Sequence, residues 1–138
     1  MTNVLQLALI RGLPGSGKST IAKSFIPRSF IHLETDMYFI NSDGEYNFDP
    51  EKLSSYRTMC LYDTYHALAK GKSVVVSNTF TQKWELLPYF DYARKYNIIP
   101  TVILAQGNFD NIHNVPEHEI EAMKKRFEYD ISDLWDTL

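Results

Sequence analysis

The sequence has one cysteine, Cys60, so no internal disulfide is available to it. Cys60 falls on the apolar side of a helical pattern, which reads as a buried, inert thiol rather than a nucleophile. No apolar run approaches the length of a membrane span, so no membrane partner is expected. Only a few residues precede the first apolar run, too few for a signal peptide, and the expected location is cytoplasmic. Internal repeats and low-complexity segments are missing as well. His32, His66 and His118 share no ligand spacing with a cysteine or paired acids, which argues against a zinc site. Acids are absent from residues 1–33, where Arg11, Lys18, Lys23 and Arg28 fall, and bases are absent after Arg126, where Asp130, Asp133 and Asp136 fall. That asymmetry fits either a basic entrance for a phosphorylated ligand or a solvated surface of mixed sign. The net charge of −3 argues against bulk, non-specific nucleic-acid binding. With 138 residues, 44% of them hydrophobic, the expectation is one globular domain over residues 1–138.

What is present is organised around Gly12-Leu13-Pro14-Gly15-Ser16-Gly17-Lys18-Ser19-Thr20. The run from Val4 to Ile10 reads as a buried strand. Ser19 to Ile26 reads as a helix with Ile21, Phe25 and Ile26 on one face. A strand, a glycine-rich turn and a helix start are the context that G-x-x-x-x-G-K-[ST] requires of a phosphate loop. Glycine lets the backbone curl around an anion so that successive N–H groups point inward, and the helix start adds its positive end. The expected cradle for ATP is Gly12, Pro14, Gly15, Ser16, Gly17, Lys18, Ser19 and Thr20. Lys18 would reach the β- and γ-phosphates, and the Ser19 hydroxyl would hold Mg²⁺.

Further along, Pro27 stops the first helix and Phe30 to Glu34 forms a second strand candidate ending at Thr35-Asp36. Sites in open α/β sheets lie at the carboxyl ends of strands, which places Asp36 beside the phosphate loop. Residues 37–48 read as a loop around the turn Asn41-Ser42-Asp43-Gly44. Asp49-Pro50 opens a helix in which Leu53, Tyr56, Cys60, Leu61, Tyr65 and Leu68 recur at helical spacing, and Gly71 closes it. Ser73 to Ser77 is a third strand. Its apolar Val74-Val75-Val76 centre predicts a position beside the phosphate-loop strand, with the second strand on its other side. Thr81 to Tyr96 is helical, with Pro88 expected to split off a short turn. Pro100 to Ala105 is a fourth strand, Gln106 to Val115 a polar loop, and Pro116 opens a charged helix to about Tyr129. Alternating strands and helices predict an α/β fold of parallel βαβ units.

Several segments then occur in a fixed order: the phosphate loop, Glu34-Thr35-Asp36-Met37-Tyr38, Tyr46-Asn47-Phe48-Asp49-Pro50, Asn111-Ile112-His113-Asn114-Val115-Pro116 and Arg126-Phe127-Glu128. Together, from about Val4 to Glu128, they resemble the small bacterial and phage ATP-binding proteins related to polynucleotide 5′-hydroxyl kinases. The resemblance implies a three-layer P-loop NTPase fold, with helices on both faces of a parallel sheet of four main strands in the order 2-3-1-4. It implies transfer of the ATP γ-phosphoryl group to a hydroxyl, in the best-known members the 5′-OH of DNA or RNA. Position by position, Lys18 and Ser19 match the phosphate and Mg²⁺ residues, and Asp36 matches the general base. A carboxylate at that strand end suits the chemistry; its other reading is a cap or turn residue.

The departures concern charge. The family usually has an acid after the third strand, where this chain has Ser77-Asn78-Thr79-Phe80; Asn78 could bond a metal-bound water. Active kinases carry an arginine shortly after the base, where Phe39 stands here, and further arginines in a lid that is shortened in this chain. Arg11, Arg57 and Arg126 are the possible replacements, with Arg126 expected to pair with helix acids instead. Tyr38, Phe39, Tyr46 and Phe48 either stack on a nucleobase or form a small apolar satellite. In the polar loop, His113 and Asn114 are candidates for substrate contact or for backbone hydrogen bonds. Two functions follow: a kinase acting on a nucleic-acid 5′-hydroxyl or a small nucleotide-like acceptor, or an ATP-binding regulatory or assembly module without transfer.

Overall fold

The computed structural model describes residues 4–109 and 114–138. Its four strands, β1 (Leu7–Arg11), β2 (Ile31–Leu33), β3 (Val74–Ser77) and β4 (Thr101–Leu104), form a parallel sheet in the order β2-β3-β1-β4. This is the order implied by the resemblance, with the valine run of β3 between β1 and β2 as its composition requires. Leu7 to Ile10 pair with Val74 to Ser77, and Ile31 to Leu33 pair with Val74 to Val76.

Strand alternation divides these residues between two layers. Leu7, Leu9, Val74 and Val76 enter a core with Cys60, Leu68, Leu86 and Phe90, supplied by helices α2 (Leu53–Ala69) and α3 (Lys83–Lys95). Ala8, Ile10 and Val75 face the other way, onto Ala22 of α1 (Lys18–Lys23), Phe30 and Ala105. A strand covered on both faces has no solvent side, which is why β1 and β3 read as continuous apolar runs. Alanines on the second face let α1 lie close over the sheet, and that holds the phosphate loop against the strand ends.

Local expectations changed in four places. The first helix ends at Lys23 and a 3-10 turn, Ile26–Arg28, follows; Ile21 and Phe25 pack on the sheet but Ile26 is 51% exposed. Residues 35–39 form a 3-10 turn, Thr35–Phe39, rather than open loop. An antiparallel bridge from Ile40 to Tyr46 then closes around the Asn41 side chain, which accepts from the Asp43 and Glu45 amides. Pro88 does not break α3. The carbonyl that loses its partner belongs to Trp84, in the first turn and on the exposed side of the helix, where water can serve it. Finally, α4 (Glu117–Arg126) stops short of Tyr129 because Phe127 turns inward and is buried.

The acids near the end of the chain hold local structure. Asp130 accepts from the Ser132 amide and hydroxyl, and Asp133 pairs with Lys83 at 3.1 Å. Among the described residues no helix is long and apolar enough to cross a membrane. Cys60 is fully buried, and burial pushes its thiol pKa up despite partial compensation by hydrogen bonds. Labelling with a thiol-specific disulfide reagent at pH 8 should therefore proceed at the rate of unfolding, with no fast phase. A fast stoichiometric phase in the folded protein would show the α2 face to be open.

Candidate active site

The phosphate loop runs from the end of β1 into α1, and two glycines fix its course. Gly17 sits at φ +94, a left-handed conformation that side chains resist. Gly12 is required for closeness: a Cβ there would meet Ser16 Oγ at 2.5 Å and the Ala105 carbonyl at 2.8 Å. The segment after β4 closes over the loop from above. Gly107 N–H donates to Ser16 O (2.9 Å), Phe109 N–H donates to Gly15 O (2.7 Å), and the Phe109 ring lies against Gly17. A cleft of about 220 Å³ opens beside it, between Gly12, Leu13, Gln106, Phe127 and Tyr129.

The loop residues singled out in the sequence are brought together, and their geometry suits an anion. Among the described residues, the amides of Gly15, Gly17, Lys18, Ser19 and Thr20 donate to no backbone carbonyl. Lys18 is largely buried and its Nζ donates to Leu13 O at 3.1 Å, folding the side chain back over the loop. Burial lowers its pKa, while the charges of Asp36 and Glu34 oppose that shift, so both carboxylates act on the Lys18 ammonium. Asp36 lies on the Thr35–Phe39 turn, where Tyr46 OH donates to its Oδ1 at 3.2 Å. Burial, with the Asp36 charge adding to it, raises the Tyr46 pKa and keeps that donor protonated. The turn itself is strapped to β3, since the Thr35 amide donates to Asn78 Oδ1 at 2.8 Å. Asn78 thus holds backbone through its side-chain oxygen.

Glu34, His32 and Ser77 form a group that sequence reasoning left out of the site. Ser19 Oγ and Ser77 Oγ both donate to Glu34 Oε2, at 2.8 and 2.7 Å. Ser77 Oγ lies 2.8 Å from His32 Nε2. Because the Ser77 proton goes to Glu34, Ser77 accepts from His32 Nε2–H. Burial alone would raise the Glu34 pKa, but His32, 3.5 Å away, and the hydrogen bonds from Ser77 and Ser19 outweigh it and bring it to about 2. The signal was available in strand periodicity: His32 and Glu34 share a face, and the pairing of Leu33 with Val76 puts Glu34 opposite Ser77.

The oxygen set suits Mg²⁺ in the way that ion is usually held. Ser19 offers a hydroxyl beside one carboxylate, and no cluster of three or more His, Cys, Asp or Glu capable of enclosing a metal occurs among the described residues. Substrate phosphates and water would complete such a coordination shell.

The arginines are placed elsewhere. Arg11 is 2% exposed; Nε and Nη2 donate to Phe80 O (2.9 and 2.7 Å), Nη2 also to Thr81 O (3.2 Å), and its guanidinium lies over the Phe127 ring. Arg57 lies 3.9 Å from Glu85 and over Trp84. Arg126 is exposed and, among the described residues, has no acid within ion-pair distance, contrary to the expected helix pairing. Phe39 is buried against Tyr46, Phe48 and Tyr56, so the aromatic group is chiefly an apolar satellite that seats the Asp36 turn. Asn111 and His113 lie outside the described residues; Asn114 is exposed with φ 51.

Residues 7–106 match the AAA domain family. Human NEDD4-binding protein 2 is 30% identical over 141 residues, covering 93% of this chain and 8% of that protein. The "putative bifunctional polynucleotide phosphatase/kinase" of Acanthamoeba polyphaga mimivirus is 30% identical over 93 residues, covering 67% of this chain and 18% of that protein. The chain therefore spans a small part of these relatives. A chain of the Pnkp1/Rnl/Hen1 RNA repair complex superposes with a TM-score of 0.58 at 19% identity, over 99% of this chain and 43% of its own, a likeness of fold.

Proposed function

The chain belongs to the AAA domain family, and from that premise we propose that it is an ATP-dependent phosphotransferase of the P-loop kinase kind. Its acceptor is a hydroxyl, on a nucleic-acid 5′ end or a small nucleotide-like molecule. The observation that carries this reading is that Lys18 folds over the phosphate loop while Asp36, on the turn after β2 and bonded by Tyr46, lies near enough for its charge to act on Lys18. Mg·ATP, when bound, would supply the γ-phosphoryl group, and its Mg²⁺ would offset the negative charge gathering on the ADP leaving group. The loop amides and Lys18 grip the phosphates, and Ser19 Oγ presents an oxygen to the metal. Asp36 orients the acceptor hydroxyl and takes its proton as the acceptor oxygen bonds to phosphorus and the bond to ADP breaks. A polynucleotide kinase named among the relatives supports the nucleic-acid acceptor.

The second reading, an ATP-binding module without transfer, draws on the arginines: Arg11 and Arg57 are engaged away from the loop mouth. Both readings share nucleotide binding, which titration calorimetry of Lys18→Ala tests. Losing one cation from the phosphates should weaken Mg·ATP binding by about tenfold or more while melting stays near the parent's, since a charge-assisted phosphate contact is worth about 1.5–3 kcal/mol. Equal affinity in two folded proteins would mean that the loop does not cradle phosphate.

A further inference from the structure

We infer that Glu34, at the end of β2, is the positioning carboxylate for the metal bound at Ser19, a role that here falls to β2 rather than to β3. The inference rests on the reading of the loop as a Mg·nucleotide site. A phosphate-loop serine that ligates Mg²⁺ is ordinarily backed by an acid near the metal. Among the described residues, the one carboxylate bonded to Ser19 Oγ is that of Glu34, at 2.8 Å.

Sheet register explains how a residue of β2 reaches it. His32 pairs with Val75 and Leu33 with Val76, so Glu34 stands level with Ser77, and all of His32, Glu34, Val75 and Ser77 face the α1 layer. The first turn of α1 lies over that face and carries Ser19. At the end of β3 a short serine replaces any acid and donates to Oε2 of Glu34 at 2.7 Å, so it holds the carboxylate instead of competing with it. His32 holds Ser77 in turn. With Oε2 accepting from two hydroxyls, Oε1 takes no hydrogen bond among the described residues. It is the atom available to water around a metal on Ser19. Glu34 is 17% exposed, so its charge is held at the site by the fold rather than by chance at the surface. A carboxylate placed there fixes the hydroxyl rotor of Ser19 and adds a negative charge for the dication.

The test is calorimetric titration of ATP into the protein at a series of Mg²⁺ concentrations, and in EDTA, for the parent, Glu34→Gln and Ser77→Ala. Glu34→Gln keeps size and one acceptor but removes the charge. Loss of such a support typically weakens metal binding about 10–100-fold, so the Mg²⁺ concentration for half-maximal enhancement of ATP affinity should rise by that factor. ATP affinity in EDTA should stay unchanged or rise, opposite in sign to the loss at limiting Mg²⁺, because the substitution removes a negative charge beside Ser19 and Lys18. Ser77→Ala, which leaves the charge but loosens it, should shift the Mg²⁺ midpoint by a smaller factor in the same direction, and it carries the test if Glu34→Gln does not fold. A purely structural role for Glu34 would lower the melting temperature and leave the Mg²⁺ midpoint unmoved; that result overturns the inference, as does an unmoved midpoint in Ser77→Ala. A parent that binds no nucleotide with or without Mg²⁺ overturns the phosphate-loop reading and the inference with it. A parent that binds ATP with a Mg²⁺ midpoint indifferent to Glu34 overturns the inference alone.

Discussion

Asp36→Asn should reduce phosphoryl transfer by about 10²–10⁴, the usual worth of a general base, while the Kd for Mg·ATP moves by less than about threefold. The asparagine keeps the size of the side chain and an oxygen to accept from Tyr46, so the Thr35–Phe39 turn has no reason to move. What it loses is a site for the acceptor proton. In energy the loss is about 3–5 kcal/mol of transition-state stabilisation. Single-turnover transfer and calorimetry on the same preparation separate the two effects. If the parent transfers phosphate and the variant does so equally well, Asp36 is a turn carboxylate. If the parent hydrolyses or binds ATP without transfer to any acceptor, the module reading takes over.

Arg11→Met should lower the melting temperature by about 10 °C, through loss of about 3 kcal/mol. The guanidinium bridges two successive carbonyls, of Phe80 and Thr81, in the segment that follows β3. Phe80 has φ 44, a left-handed conformation that costs a large side chain energy and persists where its surroundings hold it. Methionine fills the space over Phe127 but leaves the Phe80 carbonyl without its donor, while Thr81 O keeps the Glu128 amide at 2.7 Å. Burial, opposed by the charges of Glu85 and Glu128, lowers the Arg11 pKa, yet an arginine stays protonated throughout the ordinary range. Arg11→Lys should recover less than half of the loss, because an ammonium cannot present the planar fork. A variant that melts like the parent and has lost transfer would instead make Arg11 the arginine that serves the transferring phosphate.

The sheet was legible because its central strands are buried on both faces: Leu7 to Ile10 and Val74 to Val76 have one stable place to go, beside each other. The phosphate loop was legible because its chemistry is backbone chemistry, and glycine marks where backbone must curl. What failed depends on tertiary balance. Pro88 reads as a break in isolation, yet near a helix start on an exposed side it costs little. Arg11 reads as a spare cation until the segment after β3 folds beneath it. Glu34 stands out in the sequence only as part of a motif, because a single strand does not reveal which residue of the next strand it meets. His32 and Glu34 alternate plainly, but their common target, Ser77, becomes visible only once the register of β2 against β3 is set. Charges that depend on pairing across strands are the least readable part of this site.

The proposed reaction is transfer of the ATP γ-phosphoryl group to a hydroxyl. It is tested most directly by incubating the chain with γ-radiolabelled ATP, Mg²⁺ and a panel of 5′-hydroxyl DNA and RNA oligonucleotides and nucleosides, following label in acceptor and in free phosphate separately. The expected result is label in at least one 5′-hydroxyl acceptor, abolished by Lys18→Ala and cut by Asp36→Asn. Tight Mg·ATP binding with no label in any acceptor, at any ratio of enzyme to substrate, would contradict it.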